Sequence, residues 1–252
     1  MRDSFAPRVY KSFLDALADY YEAEAYSLDF SDPAAVDTIN SWVSGHTMKK
    51  IDTIISEIKP ETVMYLINAI YFKAAWTTMF DKDSTSDGTF TLTGGVEKTV
   101  KLMSFNKDQE FSFFSSADGS ENGYSAVHLP YGRDKIAFYG FIPHSGTIDQ
   151  FIKNLPDTGL EDLFLNLEKK EIPVILPKFR FEYEKSLVDT LKSLGMIKAF
   201  DTGGLLDIAS DGEGLFISEV KHKTFIEVSE EGTEAAAVTS VELGETCMPD
   251  GF

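Results

Sequence analysis

The sequence predicts an α+β fold. Two helical patterns near the start are followed by one long apolar run and then by several segments in which apolar and polar residues alternate. Because strands and helices occur in blocks and not as a repeated strand–helix unit, a parallel α/β sheet is not predicted. With 252 residues, of which 43% are hydrophobic, the chain can bury a large core, and we treat residues 1–252 as a single domain.

The first two helices are predicted from apolar spacing and from a start signal. Apolar residues recur at three- and four-residue intervals from Val9 to Tyr21, which is typical of an amphipathic helix. The second helix starts with Asp32 as its N-cap and Pro33 at its first position, and Gly45 predicts its end.

The later elements are predicted mainly from strand patterns. Thr62 to Phe72 is a near-continuous apolar run, which indicates a strand covered on both faces. The remaining segments, in chain order, are a hairpin over Thr89 to Met103 with a Gly94-Gly95 turn, strands at Ser125 to Pro130 and Lys135 to Pro143, helices at Ile148 to Leu155 and Leu160 to Lys170, a strand at Ile172 to Glu184, a helix at Lys185 to Leu194 and a strand at Ile217 to Val228.

Charge and composition exclude several classes of partner. The formal net charge of -18 argues against nucleic acid, and the basic residues form no evident polyanion site. No transmembrane span is predicted, because Asn68 and Lys73 interrupt the best apolar candidate. The single cysteine, Cys247, has no second cysteine in the chain with which to form a disulfide.

No catalytic or metal site is predicted. The four histidines are His46, His128, His144 and His222, and none is paired with another ligand at a metal-site spacing. The chain has no Gly-x-Ser-x-Gly elbow and no phosphate-binding glycine loop, and no base is evident near Cys247. We therefore expect neither an enzyme nor a cofactor.

Two polar residues interrupt predicted strands. Asn68 lies within VMYLINAIYF and His222 within ISEVKHKTFIEV. Each is either a core polar group satisfied locally or part of one polar cluster that holds neighbouring strands together and lets them separate.

The segment SEEGTEAAAVTS, which follows the last predicted strand, has a composition that fits neither a helix nor an ordinary surface loop. Gly232 offers a flexible pivot. With a period of two, one face carries only small or β-branched uncharged residues, namely Thr233, Ala235, Ala237, Thr239 and Val241. The other face carries Glu234, Ala236, Val238, Ser240 and Glu242. Every charged residue from Thr233 to Glu242 therefore lies on one face.

The chain resembles the serpins, the serine protease inhibitor family, over nearly its whole length. The matching blocks, in the family's order, are INSWV with SGHTMKKI, NAIYFKAAW, VHLPYG, ILPKFRFE, LKSLGMIKAF and SEVKHKTFIEVSEEGTEAAAVT. The resemblance implies a large, mostly antiparallel central sheet, further sheets, packed helices and an exposed reactive loop, with the domain incomplete at both ends. Met48-Lys49 departs from the family, which usually has glycine before Lys50, and Ala74-Ala75 stands where glycine and lysine are typical.

The resemblance also implies roles for particular residues. Asn68 and His222 match the shutter, the polar cluster under the central sheet. Trp76, Lys178, Lys223 and Glu230 match the breach, where the loop first enters the sheet, with an ion pair between Glu230 and Lys178. Residues 229–252 match the hinge and reactive loop, and the hinge residues are Glu230, Glu231, Gly232, Thr233, Glu234, Ala235, Ala236 and Ala237.

The implied function is inhibition of a serine protease, or of a cysteine protease, by cleavage of the loop and its insertion into the sheet as a new strand under a covering helix. The family's loop length places the reactive bond at Thr246-Cys247, with a shift of one residue in either direction left open. Thr246 is not basic, so an elastase- or subtilisin-like target is favoured over a trypsin-like one. The alternative is a non-inhibitory serpin that acts as a binding or chaperone-like protein. The sequence does not determine the cellular compartment.

Overall fold

The computed structural model describes residues 1–92, 94–117, 123–155, 164–210 and 214–246. These residues form two compact units. Unit 1 contains residues 1–71, 181–225 and the described residues from Ala235 on, and unit 2 contains residues 72–180 and 226–234.

The helices are short and the first two begin close to their predicted starts. They are α1 (Lys11–Tyr21), α2 (Ala34–His46), α3 (Ile148–Lys153) and α4 (Val188–Ser193), with 3-10 turns at Ala6–Arg8 and Lys198–Phe200. The Asp32 carboxylate accepts the N–H of Ala34 at 2.9 Å, as expected of a residue that caps α2. No described helix is long and apolar enough to cross a membrane.

Eleven strands are assigned among the described residues. They are β1 (Thr62–Ala75), β2 (Asp81–Thr91), β3 (Glu97–Ser104), β4 (Gln109–Ser115), β5 (Tyr124–Tyr131), β6 (Ile136–Pro143), β7 (Glu168–Ile172), β8 (Leu176–Pro177), β9 (Phe179–Ser186), β10 (Leu215–Ser229) and β11 (Gly232–Glu245). One sheet has the order β1-β11-β10-β9, a second β2-β3-β8 and a third β6-β5-β4-β7. The α+β class and the predicted hairpin, now β2 with β3, are confirmed.

Three local predictions are wrong. Residues 168–170 belong to strand β7 and not to a helix, because β7 pairs with β4 from Glu168 opposite Phe113 to Ile172 opposite Gln109. The single strand expected over Ile172 to Glu184 is divided among β7, β8 and β9, with Val174 and Ile175 outside any strand. Strand β1 is buried only over Thr62–Met64, whereas Asn68 and Ile70 are exposed.

Unit 1 packs α2 on the sheet. Ile39 and Val43 of α2 share a buried cluster with Phe225 of β10 and with Ala236 and Val238 of β11. A second cluster surrounds Phe5 and Leu243, both almost completely buried. These apolar contacts hold β11 along much of its length.

Unit 2 has an aromatic core. Its buried residues are Trp76, Phe80, Met103, Phe111, Leu129, Tyr131, Val174 and Val228. This core contains the end of β1 and the end of β10, and it therefore fixes the position at which β11 begins.

Over the described part of the segment, up to residue 246, the exposed loop expected from the resemblance is not found. Residues Gly232–Glu245 form strand β11, which lies between β1 and β10 as an interior strand of the sheet. An interior strand pairs through its backbone on both edges and has its side chains on the two faces of the sheet. The side chains of this segment are mostly small and include no unpaired charge, so both faces can be covered.

Candidate functional site at the start of strand β11

Strands β10 and β11 are joined by the two-residue turn Glu230-Glu231 in unit 2. Both backbone carbonyls of the turn are used, since Trp76 N–H donates to the Glu231 carbonyl and Phe80 N–H to the Glu230 carbonyl, each at 3.0 Å. The turn is thereby fixed to the chain that leaves β1.

The Glu230 carboxylate is buried, with 6% of the residue exposed. Lys178 Nζ donates to Glu230 Oε2 at 2.8 Å, and Thr85 Oγ1 donates to Oε1 at 3.0 Å. Burial alone raises the pKa of Glu230, but the hydrogen bonds from Lys178, the backbone and Thr85, with the positive charge of Lys178, outweigh it and hold the pKa below its usual value. The expected ion pair between Glu230 and Lys178 is present.

The second acidic residue of the turn is on the surface. Lys82 Nζ donates to Glu231 Oε1 at 2.6 Å. This hydrogen bond and the attraction between the two charges lower the pKa of Glu231 and raise that of Lys82. The pair is exposed on both sides, so solvent weakens its contribution to stability.

Trp76 and Tyr131 form the floor of the site. Their rings stack with centroids 4.5 Å apart and planes 13° apart, and Trp76 Nε1 donates to the carbonyl of Ser229 at 2.8 Å. The hydroxyl groups of Tyr131 and Thr233 hydrogen-bond to each other, and burial raises the pKa of Tyr131. The first side chain of β11 after the glycine is therefore bound in a polar position within an aromatic core.

Gly232 is required by close approach. A Cβ atom at this position would lie 2.0 Å from the carbonyl oxygen of Ala74 and 2.8 Å from Cα of Ala75. No side chain fits between β11 and β1 here, and Ala75, where the family typically has a larger residue, is exposed beside it. The structure thus gives Gly232 a packing role in addition to its conformational freedom.

In unit 1 the faces of β11 are assigned differently from the prediction. Ala236 and Val238 pack in the cluster that includes α2, whereas Ala235, Ala237, Thr239 and Val241 are only half-buried. The helix therefore covers the face that was expected to carry the charges. That face accepts a helix because its acidic residues, Glu234 and Glu242, lie on either side of the uncharged stretch from Ala236 to Ser240.

The two shutter residues are not brought together. His222 Nδ1 lies 2.8 Å from Thr239 Oγ1 of β11, and Asn68 is exposed. The expectation of one shared cluster is wrong for this conformation because β11 separates β1, which carries Asn68, from β10, which carries His222.

Lys223 does not join the other breach residues. It belongs to unit 1, where its Nζ donates to the Thr53 carbonyl at 3.2 Å and lies 3.9 Å from Glu184 Oε2. Trp76, Lys178 and Glu230 all belong to unit 2. Successive side chains of a strand lie on opposite faces of the sheet. Lys223 therefore lies on the other face of β10 from His222 and has different partners.

Two carboxylates lie near the far end of β11 in unit 1. Glu242 is buried, accepts a hydrogen bond from the Thr62 hydroxyl and lies 3.6 Å from Lys59 Nζ. Glu245 is paired with Arg2 and Arg8. Thr246 is exposed and donates its N–H to the Gly214 carbonyl at 3.1 Å, while Cys247, the other half of the expected reactive bond, lies outside the described residues.

Sequence reasoning missed several partners of β11. Thr85, Tyr131, Arg2 and Arg8 are distant in sequence from the residues they contact, and none belongs to a short motif with a binding signature. Tyr131 was visible only as the Tyr of the VHLPYG turn.

Comparison with known proteins identifies the fold family. The family model described as "Serpin (serine protease inhibitor)" matches residues 6–251. An uncharacterized serpin-like protein of Thermococcus kodakarensis is 36% identical over 238 residues, which is 92% of this chain and 53% of that protein.

Solved structures agree with this result. Tengpin, a thermophilic serpin solved in the latent state, superposes with a TM-score of 0.81 at 35% identity, covering 96% of this chain and 64% of that one. Reactive-loop-cleaved human thyroxine-binding globulin gives a TM-score of 0.82 at 26% identity, covering 95% and 69%. The chain belongs to the serpin family, and it spans about half the length of the curated relatives it matches.

Proposed function

We propose that this protein is an inhibitory serpin in which Gly232–Glu245 is the reactive loop after insertion into the sheet. The observation that carries the proposal is the position of β11 between β1 and β10. A protease can reach a bond at residue 246 only if the segment before it is outside the sheet, so the protein needs a second conformation in which β1 and β10 lie next to each other.

Two features of β11 support insertion. Its middle section, Ala236 and Val238, is small enough to lie under α2, with 3% and 0% of these residues exposed. Its first side chain, Thr233, is hydroxylated and meets the hydroxyl of Tyr131, so a residue that is soluble in an exposed loop has a hydrogen-bonding partner once buried.

In the proposed trapping reaction, the protease forms its acyl-enzyme intermediate with this protein and does not hydrolyse it. The protease serine oxygen attacks the carbonyl carbon of Thr246, the bond to the nitrogen of Cys247 breaks, and the new amine leaves with a proton from the catalytic histidine. An ester now joins the protease to Thr246. Insertion of the freed segment moves this ester away from the position at which water would hydrolyse it, so the protease stays covalently bound.

The residue that supplies the carbonyl group of the cleaved bond sets the target class. Thr246 is small and uncharged, which suits a small primary pocket better than the acidic pocket of a trypsin-like enzyme. We therefore assign an elastase- or subtilisin-like serine protease as the target.

The test is covalent complex formation. The protein is incubated with an elastase-like, a subtilisin-like and a trypsin-like protease, and the products are examined on denaturing gels and by intact mass. We expect a denaturant-resistant complex with one of the first two enzymes, whose mass places the ester at residue 246.

Thr233→Arg separates insertion from cleavage. The new guanidinium would take the place of the Thr233 side chain, and this residue is only 6% exposed. Burying an unpaired guanidinium near Trp76 and Tyr131 is unfavourable. We expect this variant to be cleaved without forming the complex. Glu231→Arg adds the same side chain at an exposed position and should still form it. Cleavage of the unaltered protein by all three enzymes without any complex would contradict inhibition and favour a non-inhibitory binding or chaperone-like serpin.

A further inference from the structure

The far end of β11 is held by two arginines. In unit 1, Arg8 makes a two-pronged contact with Glu245, with Nη2 on Oε1 and Nη1 3.2 Å from Oε2, and Arg2 Nη2 lies 3.5 Å from Oε2. We call Arg2, Arg8 and Glu245 the arginine latch. All three side chains are mostly buried, with 22–28% of each exposed.

Each arginine also has a partner other than Glu245. The Arg8 guanidinium lies 4.9 Å from the centre of the Phe5 ring, and Phe5 is fully buried. Arg2 donates its other Nη to the Pro60 carbonyl at 3.2 Å, and its backbone N–H donates to the Val63 carbonyl at 2.9 Å. None of these contacts uses the Glu245 carboxylate, although Phe5 packs in one buried cluster with Leu243 and Val241 of β11.

Glu245 reaches the arginines only when β11 is inserted along its whole length. The residues of β11 in unit 1, Ala235 to Glu245, span roughly 35 Å at about 3.4 Å per residue. Insertion that stopped at Val238 would leave Glu245 many residues short of Arg8. Glu245 also immediately precedes Thr246 of the proposed reactive bond, so it cannot reach the two arginines while a protease holds Thr246 before insertion.

We propose that the arginine latch stabilises the last step of loop insertion and thereby prevents the end of β11 from leaving the sheet. This inference rests on the proposed function, in which β11 is the inserted loop. A bidentate guanidinium–carboxylate contact is specific in geometry, and a second arginine shares the same carboxylate. The buried Glu242, held by Thr62 and Lys59, lies three positions before Glu245 and fixes the strand leading to the latch.

The test measures hydrogen exchange of the backbone amides in Ser240–Glu245 under native conditions, in protein that has first been cleaved at the proposed reactive bond by a protease it does not trap and then separated from that protease. Arg8→Gln and Glu245→Gln each remove the bidentate contact, so we expect exchange in this segment to accelerate roughly three- to tenfold in either variant. The double variant should be no faster than the faster single variant, because both changes remove the same contact.

The matched control is Lys11→Gln. It also removes one positive charge near the start of the chain, but Lys11 pairs with Asp15 on α1 at 2.6 Å. Exchange in Ser240–Glu245 should be unaffected by it. Unchanged exchange in both single variants, or effects that multiply in the double variant, would overturn the latch.

A salt series on the same cleaved protein without substitutions provides a second readout. At about 1 M salt the screening length falls to about 3 Å, so exchange in Ser240–Glu245 should accelerate relative to the segment from Ala236 to Val238, whose contacts are apolar. Equal changes in the two segments would contradict the latch. Neither measurement depends on a covalent complex, so a failed latch leaves the covalent-complex test intact, and a missing complex leaves the latch test intact.

Discussion

At the scale of single residues, Glu230 shows how the turn between β10 and β11 is fixed to the rest of unit 2. Its carboxylate is buried, yet its pKa lies below the usual value because Lys178, Thr85 and the backbone stabilise the charged form. Without these donors, burial would raise the pKa of the carboxyl group, and the turn would lose its attachment to Lys178. The charge of Glu230 therefore stabilises the turn between β10 and β11.

The first prediction concerns pH. Because the pKa of Glu230 is lower in the folded protein than the reference value of 4.5, its stabilising contribution is fully present above pH 4.5 and is lost as the pH falls through the folded pKa. Lys178→Gln removes the main donor, so we expect it to lower the free energy of unfolding at neutral pH by about 1–3 kcal/mol.

The measurement is urea unfolding of the unaltered protein, Lys178→Gln and Lys82→Gln at pH 7 and at pH 3. The difference between the unaltered protein and Lys178→Gln should shrink at pH 3. Lys82 pairs with the exposed Glu231, so Lys82→Gln should have a small effect at either pH. A loss that is the same at both pH values would show that Lys178 acts through packing and not through the charge of Glu230.

The second prediction concerns Gly232. Its alanine variant would place Cβ 2.0 Å from the Ala74 carbonyl oxygen, so β1 and β11 must separate there. We expect Gly232→Ala to lower the free energy of unfolding by about 1–3 kcal/mol. Gly45 lies in α2, where a Cβ atom would meet no other part of the chain within 4 Å, so Gly45→Ala should instead gain about 0.5–1 kcal/mol. Equal effects of the two substitutions in urea unfolding would contradict a steric role for Gly232.

At the scale of elements, the end of α2 explains one departure from the family pattern. Met48 and Lys49 both have positive φ, at 50° and 59°, in a conformation that favours glycine. The turn persists because Lys49 N–H donates to the Ser44 carbonyl at 2.8 Å and the buried Thr47 hydroxyl donates to the Val43 carbonyl at 2.9 Å. The chain thus accepts local strain in order to end the helix that covers β11.

The third prediction follows from this strain. Lys49→Gly should raise the free energy of unfolding by about 0.5–1 kcal/mol, because glycine adopts positive φ without a Cβ clash. Lys49→Ala removes the same charged side chain but keeps Cβ, so it should bring no such gain. The comparison uses the unfolding midpoint in urea of both variants. A gain that is equal for alanine and glycine would assign the effect to the lost charge.

The elements also show what sequence could and could not predict. The helices α1 and α2, the β2–β3 hairpin and the β5–β6 pair follow from local periodicity and turn residues, and these were predicted. Strand β7 was not, because EKKEI has no apolar alternation and becomes a strand only by pairing with β4. The two-residue β8 exists for the same reason, since its pairing with β3 is not encoded locally.

At the scale of the whole molecule, the resemblance predicted the family and the ion pair between Glu230 and Lys178, but not the conformation. Small residues at alternate positions of β11 are compatible with an exposed loop and with an inserted strand, so the sequence does not choose between them. Likewise, a direct pairing of Asn68 with His222 would need β1 and β10 to be neighbours, whereas in this structure β11 lies between them and His222 contacts Thr239. The choice depends on contacts such as Thr233 with Tyr131, which join residues far apart in the chain.

The central claim is that Gly232–Glu245 changes from an exposed loop to the interior strand seen here when a protease cleaves the chain. The most direct measurement is hydrogen exchange of Ala235–Glu245 before and after cleavage, in a preparation shown to form the covalent complex. The account predicts fast exchange in this segment before cleavage and slow exchange afterwards, as expected for a strand paired on both edges. Slow exchange in both states, in a preparation that traps its protease, would contradict it.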